Sequence, residues 1–415
     1  MEASTFSTEF LGCKVSHTDL QGLRERLGEE GYREADGRGQ VHIVNGCCVT
    51  NEAVAKTRQS IRRALRDADA VLVTGCAARL PGAGFAEIDP RVRVIGDASE
   101  RVPDAVVDEL AALGCRGGDR RAASPIRRRM FLKVQDGCSF SCAYCVIPEV
   151  RGGTRSRPVP EVIAEAERRV RQGHREIVVT GVNVGLYRDR AAGVGLAGLL
   201  RRIADVAGLE RARLSSIELE HLDDDVLDAL AVRPFLPHLH LPLQTGSDPL
   251  LAAMRRRYRA GDYRARIAAA RERMPDVAVT ADVIAGLPGE TEADHRATLR
   301  LVEEVGLARL HVFPYSPRQG TRTADADTDP AVKARRAADL RALSDRLARA
   351  HRTRHVGVED AVLIEELDAD GLGLGHGRDG APWRVEGAAA LVGHVATVRG
   401  TAILGDGRIH GRAMA

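Results

Sequence analysis

Short apolar runs alternate with amphipathic segments in the first third of the chain. The runs have the length of buried strands, and the segments between them repeat apolar residues with helical periodicity. Alternating strands and helices favour a parallel sheet, because the helices supply the crossover connections. We therefore predict a small α/β domain over residues 1–124. Its strand candidates are residues 41–45, 71–74 and 92–95, and its helix candidates are residues 52–68 and 102–113.

The same alternation continues over residues 125–355, after a Gly- and Arg-rich stretch at residues 114–129 that has no apolar period. Six βα units fit a partial (β/α)6 barrel, shorter than a complete eight-unit barrel. A long Arg-rich helix at residues 332–355 follows these units. The strand candidates are residues 131–135, 176–181, 212–217, 238–243, 277–285 and 308–314, and the helix candidates are residues 159–172, 196–206, 223–232, 249–259 and 292–305.

The last part of the chain, residues 356–415, changes to short apolar runs broken by glycine. This pattern is typical of a small all-β barrel. The strand candidates are residues 362–366, 383–385, 391–398 and 403–404.

The composition is that of an ordinary globular protein. Of 415 residues, 44% are hydrophobic and 29% are charged, which excludes a disordered or collagen-like chain, and the net charge is only +3. The N-terminus lacks a signal-peptide pattern, and no apolar run reaches the roughly 18 residues of a membrane helix. We therefore expect a cytoplasmic protein without a membrane partner. In that reducing compartment, the eight cysteines are better candidates for metal ligands or catalytic groups than for disulfides.

A CxxxCxxC triplet, made of Cys138, Cys142 and Cys145, directly follows the strand candidate at residues 131–135. Thiolates suit zinc or iron–sulfur clusters, but a structural zinc site needs four protein ligands, and this loop offers three cysteines and no histidine. Three thiolates on a 4Fe-4S cluster leave one iron open, where S-adenosylmethionine can bind and be cleaved to a radical. The triplet therefore predicts a catalytic cluster at the C-terminal face of the barrel, where such folds place their active sites.

Three further cysteines lie in loops beside strands or strand-like segments of the first domain: Cys13, Cys47 and Cys76. Because the ends of neighbouring parallel strands converge, these distant residues can meet at one edge of the sheet. The spacing alone leaves open the alternative that they are separate buried thiols.

A series of motifs extends over essentially the whole chain. In order, they are LGCKV, VNGCCVT, TGCAAR, QDGCSFSCAYCVIP, VVTGVNVGLY, LSSIE, HLHLPLQTGSD, VTADVIAGLPGET and HVFPYSPRQGT. In these motifs and their order, the chain resembles the radical S-adenosylmethionine methylthiotransferases. The resemblance implies an N-terminal methylthiotransferase domain, a radical barrel and a C-terminal TRAM domain that contacts tRNA.

The resemblance also implies a second 4Fe-4S cluster, bound by Cys13, Cys47 and Cys76, which carries or donates the sulfur. Cys48 stands where the family usually has a threonine, and we interpret it as a small buried residue. Cys115 lies in the linker and has no assigned role.

The segments GCKV and VNGCCVT look most like the enzymes that act on threonylcarbamoyladenosine, although Ser16 and His17 replace the usual Asn-Gln. The likeness therefore implies conversion of that nucleoside, at position 37 beside the tRNA anticodon, to its 2-methylthio derivative. The implied partners are the tRNA anticodon stem-loop, an electron donor such as flavodoxin or ferredoxin, and a sulfur source. Alternatives are methylthiolation of isopentenyladenosine or of a ribosomal-protein aspartate, or a non-catalytic iron–sulfur or zinc protein that binds RNA.

Polar residues at strand ends are the candidates for binding S-adenosylmethionine, because ligands contact barrels at these positions. Each is also compatible with an ordinary hydrogen-bonding role in a turn. They are Thr180 and Asn183, Ser216 and Glu218, and Gln244 and Ser247, after the second, third and fourth barrel strands.

Local basic clusters could attract phosphates. The helix at residues 332–355 has eight Lys plus Arg, whereas residues 356–415 have five Arg against nine Asp plus Glu. Nucleic-acid binding is thus expected at the clusters rather than at the last domain, although a solvated helix face is an equal alternative. The other clusters are residues 127–129, Arg151 with Arg155 and Arg157, and residues 255–257.

Overall fold

The computed structural model describes residues 3–35, 37, 39–119 and 129–414. The chain forms two compact units. The first unit comprises Met1–Pro125, Asp136–Thr154 and Ser316–Ala324, and the second comprises Ile126–Gln135, Arg155–Tyr315 and Asp325–Ala415. The division into three domains at residues 124 and 355 stays a prediction. Arg127 and Arg128, from the predicted basic clusters, lie outside the described residues.

The first unit contains a parallel five-stranded sheet in the order β2-β1-β3-β4-β5, as the alternation predicts. Both faces of the sheet are buried. Ile43 packs with the helix residues Leu23 and Leu110, whereas its neighbour Val44 packs with Ile61 on the opposite face. The elements are β1 (Thr5–Phe10), α1 (Lys14–Glu29), β2 (Arg33–Glu34), β3 (Val41–Gly46), α2 (Asn51–Ala64), β4 (Ala70–Thr74), α3 (Gly75–Ala78), β5 (Val92–Val94) and α4 (Val102–Ala112).

One strand, β6 (Arg129–Asp136), leads from the second unit into the cysteine-rich loop. This loop contains the short helix α5 (Ile147–Arg151) and belongs to the first unit.

The second unit holds the partial barrel. Parallel pairing joins β11 to β8 and β8 to β6, and it joins β12, β13 and β14. Bridges from Ala212 to Phe235 and from Ser216 to His240 connect the two sets, which confirms six consecutive parallel strands. The elements are β7 (Arg155–Ser156), α6 (Val159–Arg171), β8 (Glu176–Gly181), β9 (Arg188–Asp189), β10 (Val194–Gly195), α7 (Leu196–Ala204), β11 (Arg211–Leu214), α8 (Asp224–Leu230), β12 (His238–His240), α9 (Asp248–Ala253), α10 (Ala260–Arg273), β13 (Ala278–Ala285), α11 (Glu292–Glu304), β14 (Arg309–Pro314) and α12 (Pro330–Thr353).

The predicted helix at residues 249–259 is wrong in its second half. Helix α9 ends at Ala253, and Arg255 has a left-handed backbone with φ of 61°, which breaks the helix. Helix α10 follows and was not predicted from the sequence, because its Ala- and Arg-rich surface leaves only a thin apolar face around Tyr263 and Ile267.

The C-terminal segment closes into a five-stranded barrel in the order β15-β16-β17-β19-β18 around the fully buried Trp383. The prediction of two separate strands at residues 391–398 and 403–404 is wrong. Residues 395–403 form a single strand with a bulge near Gly400, and Ala389–Leu391 is a 3-10 turn. The strands are β15 (Glu359–Leu367), β16 (Gly373–His376), β17 (Pro382–Glu386), β18 (Val395–Ile403) and β19 (Ile409–Ala413).

A buried charge cluster connects the C-terminal barrel to the partial (β/α) barrel by hydrogen bonds. Arg211 and Arg213 on β11 share the carboxylate of Glu176 on β8, at 2.8 and 2.9 Å. Both guanidinium groups also donate to backbone carbonyls of the small barrel, including that of Gly377. In the described part of the chain, no helix is both long enough and apolar enough to cross a membrane.

Candidate functional site

The CxxxCxxC loop begins at a position that only glycine fits. Gly137 has φ of 69°, and a Cβ there would lie 2.1 Å from the carbonyl oxygen of Gly153. The loop closes on itself because the backbone N–H of Cys138 donates to the Gly152 carbonyl at 3.0 Å. This turn directs the chain from β6 straight into the three cysteines.

The three cysteines of this loop are half-buried. The N–H of Phe140 donates to the Cys138 sulfur at 3.4 Å, and the N–H of Cys145 donates to the Cys142 carbonyl at 3.2 Å. The first of these two contacts is a hydrogen bond to a ligand sulfur, and such bonds tune iron–sulfur clusters.

The donor set fits a cluster better than a single ion. All eight cysteines lie in the described part of the chain, and none forms a disulfide. Among the described residues, the groups whose ligand atoms all lie within 4.8 Å of one another contain His and Asp but no Cys. A single zinc ion needs its ligands that close, whereas a cluster distributes its thiolates over different irons.

The N-terminal cysteines follow three neighbouring strands. Cys13 precedes α1 after β1, Cys47 follows β3, and Cys76 lies in α3 directly after β4. Burial, together with the nearby sulfurs of Cys76 and Cys13, raises the pKa of the Cys47 thiol to about 11. Because β1, β3 and β4 are parallel neighbours, the three cysteines lie at one edge of the sheet, and their joint binding of a cluster stays a prediction.

Cys76 is buried and has two polar neighbours. A hydrogen bond from the Cys48 thiol and the positive charge of Arg151 hold the pKa of the Cys76 thiol below its ordinary range, although burial opposes this. The Nε of Arg151 donates to the Cys76 sulfur at 3.0 Å. Cys48 is fully buried, which agrees with its interpretation as a small buried residue.

The sequence did not mark Arg151 as part of this site. Its guanidinium also donates to Asp136 at 3.0 Å and to Asp19 at 2.9 Å, and it is 5% exposed. Only the IPEVR segment next to the triplet could have drawn attention to Arg151, because its acceptors are far apart in the sequence.

Five of the six candidates for binding S-adenosylmethionine follow β8, β11 and β12, which are consecutive in the barrel. The sixth, Thr180, lies within β8, one residue before its end, and not after the strand as predicted. Several have a structural role as well. Ser247 caps α9 and donates to Asp294 at 2.6 Å, Glu218 forms an ion pair with the buried Arg256, and the N–H of Asn183 donates to Gln135 at 2.9 Å. Thr180 and Gln244 are also buried, Gln244 has φ of 65°, and Ser216 forms a bridge to β12. The role of these six residues in cofactor binding stays a prediction.

A second arrangement not predicted from the sequence lies on β12, β13 and β14. One carboxylate oxygen of Asp282 is 3.1 Å from His240 Nε2 and 3.2 Å from His311 Nδ1. Although burial opposes ionisation, the two imidazoles hold the pKa of Asp282 well below its ordinary range. The sequence segments HLH and TADVI could have indicated this arrangement, because every second residue of a strand faces the same side of the sheet.

Several arginines of the predicted basic clusters are used inside the protein. Arg256 and Arg336 are buried in ion pairs with Glu218 and Glu290, and Arg151 is buried as described above. These side chains are therefore not available to bind phosphate.

Comparisons with known proteins agree with this architecture. Residues 132–302 match the radical SAM superfamily, and residues 5–96 match a family described as uncharacterized protein family UPF0004. The radical S-adenosylmethionine methyltransferase TsrM from Kitasatospora setae shares the fold, with a TM-score of 0.59 and 16% identity over 78% of this chain and 75% of its own. The fold and the triplet thus define a radical SAM enzyme, which uses a 4Fe-4S cluster and S-adenosylmethionine.

Relatives define the family more closely. The threonylcarbamoyladenosine tRNA methylthiotransferase MtaB of Bacillus subtilis (strain 168) is 35% identical, over 88% of this chain and 85% of its own. The tRNA-2-methylthio-N(6)-dimethylallyladenosine synthase of Sphingopyxis alaskensis is also 35% identical, over 87% and 86%. The chain belongs to the radical SAM tRNA methylthiotransferase family, and it is a transferase.

Proposed function

We propose that this enzyme methylthiolates threonylcarbamoyladenosine at position 37 of tRNA, using two clusters. The observation that carries the proposal is that six cysteines fall within one compact unit, three in the CxxxCxxC loop and three at the sheet edge. Relatives from Bacillus subtilis, Chlamydia pneumoniae and Thermotoga maritima that bear the threonylcarbamoyladenosine name are 32–36% identical and support this substrate.

In this proposal Cys138, Cys142 and Cys145 hold the cluster that binds S-adenosylmethionine. Cys13, Cys47 and Cys76 hold a second 4Fe-4S cluster that carries the sulfur. When bound, the first cluster and its cofactor supply the radical chemistry that an unactivated C–H bond requires. The chain itself presents the first three cysteines after the tight turn at Gly137 and the other three at one edge of the parallel sheet.

The barrel residues Thr180, Asn183, Ser216, Glu218, Gln244 and Ser247 are the proposed contacts to S-adenosylmethionine. We further propose that the enzyme acts in the cytoplasm on the tRNA anticodon stem-loop. A flavodoxin or ferredoxin would supply electrons, and a separate sulfur source would restore the sulfur after each turnover.

The dimethylallyladenosine of tRNA is a second candidate substrate. Relatives with that name, from Sphingopyxis alaskensis and Cereibacter sphaeroides, are 35% identical, so overall identity does not separate the two nucleosides. The likeness of GCKV and VNGCCVT to the threonylcarbamoyl enzymes favours the first.

The substrate test is an anaerobic reaction of reconstituted enzyme with tRNA that carries either nucleoside, followed by mass spectrometry of the digested tRNA. We expect a methylthio product only from threonylcarbamoyladenosine, and none with the Cys142→Ala variant. A product only from dimethylallyladenosine, or only from a ribosomal-protein peptide, would refute the substrate.

The second cluster has its own test. Cys47→Ala should lose about one cluster of iron per chain and retain cleavage of S-adenosylmethionine. Unchanged iron content would contradict the assignment. Colourless protein with stoichiometric zinc would instead favour the non-catalytic alternative.

A further inference from the structure

A single buried guanidinium group connects the two groups of cysteines. Arg151 belongs to α5, in the loop that contains the CxxxCxxC triplet, and its Nε donates to the sulfur of Cys76 at 3.0 Å. Its NH1 donates at 3.0 Å to Asp136, two residues before Cys138. The same side chain therefore contacts a proposed ligand of one cluster and the turn that leads into the other.

The guanidinium group also contacts α1, the helix that begins directly after Cys13. Its NH2 donates to Asp19 at 2.9 Å and lies 3.4 Å from the hydroxyl of Ser16. Asp136 is itself held in place by the hydroxyl of Ser99 and the N–H of Gly137. The guanidinium thus lies in a fixed position, determined by α1, by the end of β6 and by α3.

The side chains around this contact are buried. Val146 and Val150 of the cysteine loop pack with Cys76 and Cys48 in one buried apolar cluster, and the side chains of Arg151, Asp19 and Asp136 are each below 10% exposed. In such surroundings a hydrogen bond from a cation is strong. A lysine could supply the charge but not the fork that reaches the sulfur and both carboxylates together.

Donors to ligand sulfurs set the reduction potential of an iron–sulfur cluster. Reduction adds an electron, and a positively charged donor stabilises the more negative state, so its removal makes the potential more negative. We propose that Arg151 is a positioning residue that fixes Cys76 and sets the reduction potential of the cluster at Cys13, Cys47 and Cys76. This inference rests on the proposed second cluster.

The test uses full-length protein in which Cys138, Cys142 and Cys145 are replaced by Ala, so that the proposed second cluster is the only one left. Anaerobically reconstituted protein is titrated with a reductant, and the cluster is followed by electron paramagnetic resonance. In this background Arg151→Gln should retain about four irons per chain. Its reduction potential should become more negative by at least about 59 mV, which corresponds to a tenfold change in favour of the oxidised cluster for a one-electron couple.

Arg62→Gln is the matched control. Arg62 is an exposed arginine of α2 in the same unit, and we expect its replacement to leave the potential unchanged. If Arg151→Gln precipitates because it removes the counter-charge of Asp19 and Asp136, Arg151→Lys retains that charge but cannot reach the Cys76 sulfur and both carboxylates together. A shift in the same direction but smaller is then expected in the same titration.

The outcomes separate the two proposals. Iron present at an unchanged potential in both Arg151 variants would overturn the role of Arg151 and leave the second cluster intact. No iron in the parent triple variant would overturn the second cluster, and the role of Arg151 with it. A shift of equal size in Arg62→Gln would also overturn the inference, because the effect would then come from net charge alone.

Discussion

Replacing Glu176 by Gln tests how the small C-terminal barrel is held to the larger one. Glu176 is fully buried, and its carboxylate accepts from Arg211 at 2.8 Å and from Arg213 at 2.9 Å. Both arginines also donate to backbone carbonyls of the small barrel, such as that of Gly377. Gln keeps the shape of the side chain, but it removes the carboxylate that the two buried cations share.

The magnitude follows from the electrostatics of this cluster. Although burial opposes ionisation, Arg213 and Arg211 lower the pKa of Glu176 from 4.5 to about 2. At about 1.4 kcal/mol per pKa unit, this difference corresponds to about 3 kcal/mol of stability at neutral pH. Breaking a buried ion pair by removing one partner costs roughly 3–5 kcal/mol, which agrees.

The sign of the pH dependence is fixed by the lowered pKa. The stabilisation by Glu176 is complete above the unfolded pKa of 4.5 and is lost as the pH falls toward the folded pKa of about 2. We therefore expect the difference between wild type and Glu176→Gln to be largest at neutral pH and to shrink on acidification.

The assay is urea unfolding followed by tryptophan fluorescence. Trp383 is the only tryptophan of the chain and is fully buried in the small barrel, so its emission reports on that module. The control is Glu167→Gln, which removes the exposed ion pair of Glu167 with Arg171. Its free energy of unfolding should fall by less than about 1 kcal/mol. A Glu176→Gln variant as stable as this control would refute the reasoning and would favour an independent C-terminal domain.

Three further predictions concern the proposed cluster and cofactor sites. Gly137→Ala forces a Cβ to within 2.1 Å of the Gly153 carbonyl, so reconstituted iron should fall by about one cluster; full iron content would contradict the tight turn. Ser247→Ala removes the cap of α9, and thermal unfolding should show a loss of about 1 kcal/mol; an unchanged melting temperature would disprove that role. Removal of iron by a chelator should abolish cleavage of S-adenosylmethionine but leave the urea midpoint of Trp383 unchanged, because Trp383 lies in the other compact unit; a lower midpoint would show that the clusters support the small barrel.

The parts of the fold that were predicted from the sequence are those with a simple burial pattern. Strand β3 is buried on both faces and reads as a continuous apolar run. Strand β1 was not predicted because TFSTEF is rich in polar residues. In the structure neighbouring elements satisfy these groups: Ser7 is 2.8 Å from His42, and Thr8 donates to Glu34 at 3.2 Å. A sequence window cannot contain partners that lie tens of residues away.

One part of the candidate site could be predicted from the sequence, and another part could not. The CxxxCxxC loop is local in sequence, so its cysteines could be recognised directly, and the parallel sheet explains why Cys13, Cys47 and Cys76 lie at one of its edges. The contact of Arg151 with Cys76 could not be predicted, because it depends on how α5 packs against α1 and α3. The charge cluster at Glu176 was missed for the same reason, since buried arginines look like surface residues in a sequence.

The most direct test of the account examines the loop after β6 alone. In a variant with Cys13, Cys47 and Cys76 replaced by Ala, anaerobic reconstitution should give about four irons per chain. The electron paramagnetic resonance spectrum of the reduced protein should change when S-adenosylmethionine is added, and adding Cys142→Ala should remove the signal. A protein without iron, or a spectrum that S-adenosylmethionine leaves unchanged, would contradict the account.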